Sequence, residues 1–291
     1  MDIALHLGAH LTDEGRLLRC LTKNRTLLAQ QGIDVPDRAD YRDMLLKLVS
    51  AYPETQIEPG TDQIILDSIL EDDNAARLVL SEPDLLAWQG GSVRTAHFYP
   101  AAPQRMKALR ECFIGHNVTL FLAIRNPASF LPALLNRVKR GQAEKILNSV
   151  QPENLRWSAF VETLRAAWPE AHLTVWCDED TPFIWHKLLR TVGGYHQDTP
   201  VKHSFDWFDE VMVPGGAEKL EHYLNTAPPV DDDHRQRVIG AFLDKFCDEA
   251  KIEVDVSVAG WDEDKVDLLS ELYEEDVTTL ASTNGVTLIQ P

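Results

Sequence analysis

Short apolar runs recur along the first two thirds of the chain, each leading through a polar turn into a stretch with helical spacing. "DIALHLGA" reads as a strand, and in the following "TDEGRLLRCLTKNRTLLAQQ" Leu17, Leu18, Leu21, Leu27 and Leu28 recur at the period of a helix. Thr12 is the expected N-cap of that helix and Gly32 its stop. A helix-rich stretch, "YRDMLLKLVSAYP" and "TDQIILDSILEDD", precedes a second strand in "ARLVLSEPDLL". "NVTLFLAIRNPASFLPALLNRVKR" predicts a third strand ending at Arg125, with Pro127 in the first helical turn. "AHLTVWCDEDTPFIWHKLLRTVGG" repeats the pattern with Pro182, and Gly193-Gly194 closes its helix. Apolar strands separated by helices predict an α/β fold with a mostly parallel, doubly wound sheet, and a ligand site beyond the carboxyl ends of the strands.

From about residue 205 the pattern changes. "FDWFDEVMVPGGAEKLEHYLN", "DDDHRQRVIGAFLDKFCDEA" and "DEDKVDLLSELYEEDVTTLA" read as amphipathic helices with acidic outer faces. The expected division is an α/β core over residues 1–204 and a helical, acidic C-terminal extension over 205–291 packed on that core. A separate helical domain is the alternative.

Composition narrows the function classes. The 291 residues, 44% hydrophobic, can bury roughly 75% of the surface of the unfolded chain. A formal charge of −18 opposes nucleic acid and anionic membranes as partners. Cys20, Cys112, Cys177 and Cys247 form no CxxC pair, so buried free thiols are expected and the cytoplasm is the expected compartment. The N-terminus has no basic flank, no signal peptide is expected, and no run approaches the ~20 apolar residues of a membrane helix. No GxSxG elbow and no GxxxxGK[ST] loop occurs.

With the elements placed, the segment "LHLGAHLTDEGRLLRCLTKNRTLLAQQGIDVP" resembles the opening of bacterial sulfotransferase-like families, a strand leading through an "hIGxHKTGTT" type of loop into a helix and an "NRxxLxxxGIxYP" stretch. "LVLSEPDLL" is similar to the "SSE" strand of those families. "VTLFLAIRNPASFLPALLNR" is similar to the strand and helix that carry their 3′-phosphate contacts, and "LTVWCDEDTPFIWHKLLRTVGG" to a later strand–helix pair. The likeness spans most of the first 195 residues in order. It implies a P-loop-type three-layer sandwich and a donor site for 3′-phosphoadenosine-5′-phosphosulfate.

Departures from the resembled loop define the question. Leu11 stands at the lysine position, Thr12 is retained, and Asp13, Glu14, Gly15 and Arg16 replace small residues. A unit charge about 5 Å from another is worth roughly 3 kcal/mol at an effective dielectric of about 20, so two carboxylates oppose phosphate more than a helix terminus attracts it. On the plainest reading Thr12 caps the helix and Asp13 and Glu14 favour its positive end. The other readings are a cationic or neutral ligand, or Arg16 turned inward to supply positive charge. The resemblance places Arg125 and, eight residues on, Ala133 at the 3′-phosphate element, where a serine is expected; Ser129, one turn earlier, is a substitute. Arg125 has an equal reading as an ion-pair partner of Asp13 or Glu14.

His10 is the first choice for a catalytic base, with Arg16 or Arg125 stabilising charge on a transferred group. His6 and His10, or the carboxylates Asp178, Glu179 and Asp180, are alternative metal ligands, and the latter group is equally a helix start. Three functions follow: a sulfotransferase-fold protein with a degenerate donor site that acts in binding or interaction, an active sulfotransferase, or a metal-dependent enzyme on the same scaffold. The partner, a small molecule or a protein, and the acceptor are not legible.

Overall fold

The computed structural model describes residues 1–72, 74–253 and 256–291. Eight strands occur among them: β1 (Asp2–His6), β2 (Ile33–Asp34), β3 (Arg77–Ser81), β4 (Val93–Arg94), β5 (His97–Phe98), β6 (Asn117–Ile124), β7 (His172–Cys177) and β8 (Val286–Ile289). Six form one parallel sheet in the order β2-β3-β1-β6-β7-β8, and β4 and β5 form a separate antiparallel hairpin. The order matches neither the 3-2-1-4-5-6 nor the 2-1-3-4-5 arrangement of other doubly wound sheets.

Strand periodicity explains the layering, because successive side chains point to opposite faces. Ile3, Leu5, Leu78, Leu80, Leu120 and Leu122 pack on one face with Leu45, Met106, Trp157 and Leu164 from the covering helices. Ala4, Val79, Phe121, Ala123 and Trp176 pack on the other with Leu17, Leu21, Ile184 and Leu188. Burial on both faces is why these strands read as continuous apolar runs rather than alternating ones. The result is the expected α/β sandwich of three layers.

Two differences from the sequence expectation have local causes. Val286–Ile289 departs from the expected helical character of the C-terminal segment: four residues at the end of the chain pair with β7 and become the sheet edge. The helix Gly216–Thr226 and its neighbours do match that expectation, with Ala217, Leu220 and Leu224 buried on the second face. The first helix begins at Arg16 rather than after Thr12. Gly15 holds the N-cap position at φ 76°, where the absence of a Cβ removes the usual penalty. The Thr12 hydroxyl donates instead to the Ala9 carbonyl at 2.7 Å.

Beyond the sheet's carboxyl edge, the chain leaving β1 turns towards β2 while the chain leaving β6 turns towards β7. That divergence between adjacent strands creates the crevice in which open α/β sheets bind ligands. The Leu7–Gly15 loop follows β1 there, and Arg125 follows β6.

Candidate functional site

Backbone geometry sets the shape of the loop. Gly8, Leu11, Glu14 and Gly15 have φ values of 91°, 63°, 51° and 76°, and for leucine and glutamate this conformation costs about 1–2 kcal/mol each. These left-handed residues break the loop into tight turns and keep its amides out of any regular ladder. The N–H groups of Leu11, Asp13, Glu14 and Gly15 donate to no other described residue.

The two carboxylates of the loop have partners within the chain. Asp13 Oδ1 accepts from the Leu17 N–H at 2.8 Å, doing for the helix what Thr12 was expected to do. Glu14 is exposed and pairs with Arg137 at 3.1 Å. Arg16 lines the same cleft as Arg125, bonded to carbonyls of the loop and to Glu210. Its Nη1 donates to the carbonyls of Thr12 and Asp13, at 3.2 and 3.1 Å, and its Nε to Glu210 at 2.7 Å.

Of the two readings of Arg125, the ion pair with Asp13 or Glu14 does not form among the described residues. Its Nη1 donates to the Leu11 carbonyl at 2.6 Å and its Nε to Ser129 Oγ at 3.0 Å. Ser129 therefore does join Arg125, whereas Ala133 packs against the core. The Leu11 side chain is 8% exposed, so the position that the resemblance gives to an ammonium is filled by an apolar group. A cleft of 690 Å³ runs past these residues to Asp178 at the end of β7. Burial there, together with the neighbouring Glu179, pushes the Asp178 carboxyl up to about 7, against the pull of Arg125.

A second cleft, of 670 Å³, opens on the β3 side of the loop. His10, the candidate base, is 7% exposed in its wall. Its Nε2 lies 3.0 Å from Asp84 Oδ1 and its Nδ1 3.1 Å from Tyr99 Oη, and that same hydroxyl accepts the His10 N–H at 2.9 Å. These partners assign the proton to Nε2 and leave neither ring nitrogen free. The His10 hydrogen bond, helped by Arg42, lowers the Asp84 carboxyl to about 2.

Behind this pair lies a charged network that the sequence reading did not find. Glu82 is 0% exposed and accepts from Arg38 through both carboxylate oxygens at 2.7 Å, with Arg42 Nε at 3.2 Å. Arg38 and Arg42 are four apart on one helix, which aims both at the end of β3. That spacing, set against the "SEPD" turn, was the available signal. His6 is 1% exposed, stacks on Trp176 and bonds Ser81 Oγ at 2.8 Å, and its Nε2 has no partner among the described residues. Burial lowers its pKa.

The metal reading finds no ligand set: among the described residues no three His, Cys, Asp or Glu side chains are grouped to hold an ion. Glu179 instead accepts from the Asn126 N–H and the Tyr273 hydroxyl, at 2.8 and 3.0 Å. All four cysteines are free, with Cys20, Cys112 and Cys177 buried and their thiols raised to about 12 by burial. No helix is long and apolar enough to cross a membrane among the described residues. Set against family models, curated proteins and solved structures, the chain matches none.

Proposed function

We propose that this chain is a sulfotransferase-fold protein with an atypical donor site, working in binding rather than in sulfonate transfer. The ligand class is a nucleotide bisphosphate of the 3′-phosphoadenosine-5′-phosphate type. One observation carries the reading: Arg125 sits beside a loop with four N–H groups that donate to no described residue, and it bonds to Ser129 and to the Leu11 carbonyl but to no carboxylate among the described residues. Asp13 and Glu14, which oppose anions on the sequence alone, are held by Leu17 N–H and Arg137.

The residues fit the binding of 3′-phosphoadenosine-5′-phosphosulfate but not the transfer of its sulfonate. Arg125 and Ser129 would hold a phosphate, and the amides of Leu11–Gly15 the phosphosulfate; when bound, that group supplies an activated sulfonate. Transfer needs charge stabilised as it develops on the leaving phosphate. Leu11 offers none, Arg16 is shared with Glu210, and His10 has no free nitrogen to accept an acceptor's proton.

A second reading rests on Asp178. A carboxyl that titrates near 7 beside Arg125 has the protonation behaviour of a general base at neutral pH, which favours an active transferase with Asp178 in the role first given to His10.

Isothermal titration with 3′-phosphoadenosine-5′-phosphate at low salt tests the proposal. Saturable binding that weakens about tenfold or more in Arg125→Ala is expected, since a hydrogen bond to a charged group contributes about 1.5–3 kcal/mol. No binding by the unaltered protein overturns it. Turnover of the phosphosulfate that is lost in Asp178→Asn replaces it with the second reading.

A further inference from the structure

The segment after β3 also borders a separate pocket of 390 Å³ that shares no wall with either cleft. Arg94, Arg105 and Lys145 line it together with Trp88, and neither aspartate nor glutamate does. In a chain of net charge −18, three cations facing one hollow repel each other unless an anion joins them. None of the three forms an ion pair with a described residue, and Arg105 is held in place by the Asp84 carbonyl at 2.6 Å.

Trp88 supplies the other half of the site. It is 59% exposed, whereas Trp157, Trp168, Trp176, Trp185 and Trp207 are all buried. Its ring lies over a glycine pair: a Cβ on Gly90 would come within 2.1 Å of the indole and one on Gly91 within 3.1 Å. Gly90 is in turn fixed by Gln142, whose Nε2 donates to its carbonyl at 3.0 Å. An indole backed by rigid backbone on one face and open on the other is a stacking platform whose ordering is complete before a ligand arrives.

We infer that this pocket binds a small anion carrying a flat ring, an aryl phosphate, sulfate or carboxylate. The ring stacks on Trp88 and the anionic group sits among Arg94, Arg105 and Lys145. The inference is independent of the proposed function, because its residues are separate from Arg125 and the loop.

Phenyl phosphate is the probe, with calorimetry and the indole N–H resonance of Trp88 as readouts. The expected result is one saturable site below about 10 mM that Arg125→Ala leaves intact. Arg94→Ala combined with Lys145→Ala, both at exposed positions, should weaken it about tenfold or more, and Trp88→Ala should do the same. Binding that disappears in Arg125→Ala, that survives in the Arg94/Lys145 variant, or that inorganic phosphate matches in affinity overturns the inference. Failure to saturate below about 10 mM does so too.

Discussion

The Arg125 guanidinium reaches across 114 positions of sequence to donate to the Leu11 carbonyl at 2.6 Å. Leu11 occupies the left-handed region at φ 63°, a conformation that persists only when its surroundings impose it. The arginine at the end of β6 therefore holds the loop in shape as well as presenting a cation to the crevice.

Removal of that brace should loosen the loop before it unfolds the protein. Arg125→Ala is expected to cost about 1.5–3 kcal/mol and to speed hydrogen exchange at the N–H groups of Arg16 and Leu17, which bond to Asp13. Exchange rates there equal to those of the unaltered chain would show that Arg125 does not support the loop.

Asp84 should make the fold acid-sensitive in a defined window. Its folded carboxyl is lowered to about 2 from 3.8 by His10 and Arg42. The stabilisation is therefore fully present above the unfolded value and lost as pH falls through the folded one, between about pH 4 and 2. Asp84→Asn should flatten the stability curve across that window by about 2 kcal/mol, read by urea unfolding at a series of pH values. A variant whose curve runs parallel to the original would refute the His10–Asp84 coupling.

The central strands and their helices were legible because strands buried on both faces leave continuous apolar runs, and β1, β3, β6 and β7 all do so. The two-residue strands β2, β4 and β5 are too short to show a period, and β8 follows directly on a 19-residue amphipathic helix that dominates its neighbourhood. At the site, the bond between Arg125 and Ser129 follows from their four-residue separation across the start of the helix after β6. The role of Asp13 was not legible, because both Thr12 and Asp13 are good capping residues and only the φ of Gly15 decides between them. The Arg38–Glu82 pairing leaves only the four-residue spacing of Arg38 and Arg42 as a trace, and that spacing does not name a partner 44 positions away.

That pairing yields a prediction of its own. Glu82 is fully buried and bidentate with Arg38, so Arg38→Ala leaves its buried carboxylate with only Arg42 and the Asp84 N–H and should cost about 2–3 kcal/mol. Adding Glu82→Leu should restore most of the loss, since an apolar side chain of similar volume removes the stranded charge. If the double variant has a lower urea midpoint than the single one, the network stabilises the fold by something other than neutralising Glu82.

Asp178 gives the opposite pH dependence from Asp84. Its folded carboxyl is raised to about 7 from 3.8 by burial and by Glu179. Between those values the folded chain holds a proton that the unfolded chain has released, so this group makes stability fall as pH rises from about 4 to 7. Above that range the buried charge is a constant cost. Asp178→Asn should remove the slope and raise stability at pH 8 on the order of 1–3 kcal/mol, while leaving stability at pH 4 unchanged. The difference between the two unfolding curves isolates this one group from the remaining carboxylates. A difference that does not change with pH would mean that Asp178 is ionised throughout and has no proton to exchange at neutral pH, which would also remove the basis for reading it as a general base.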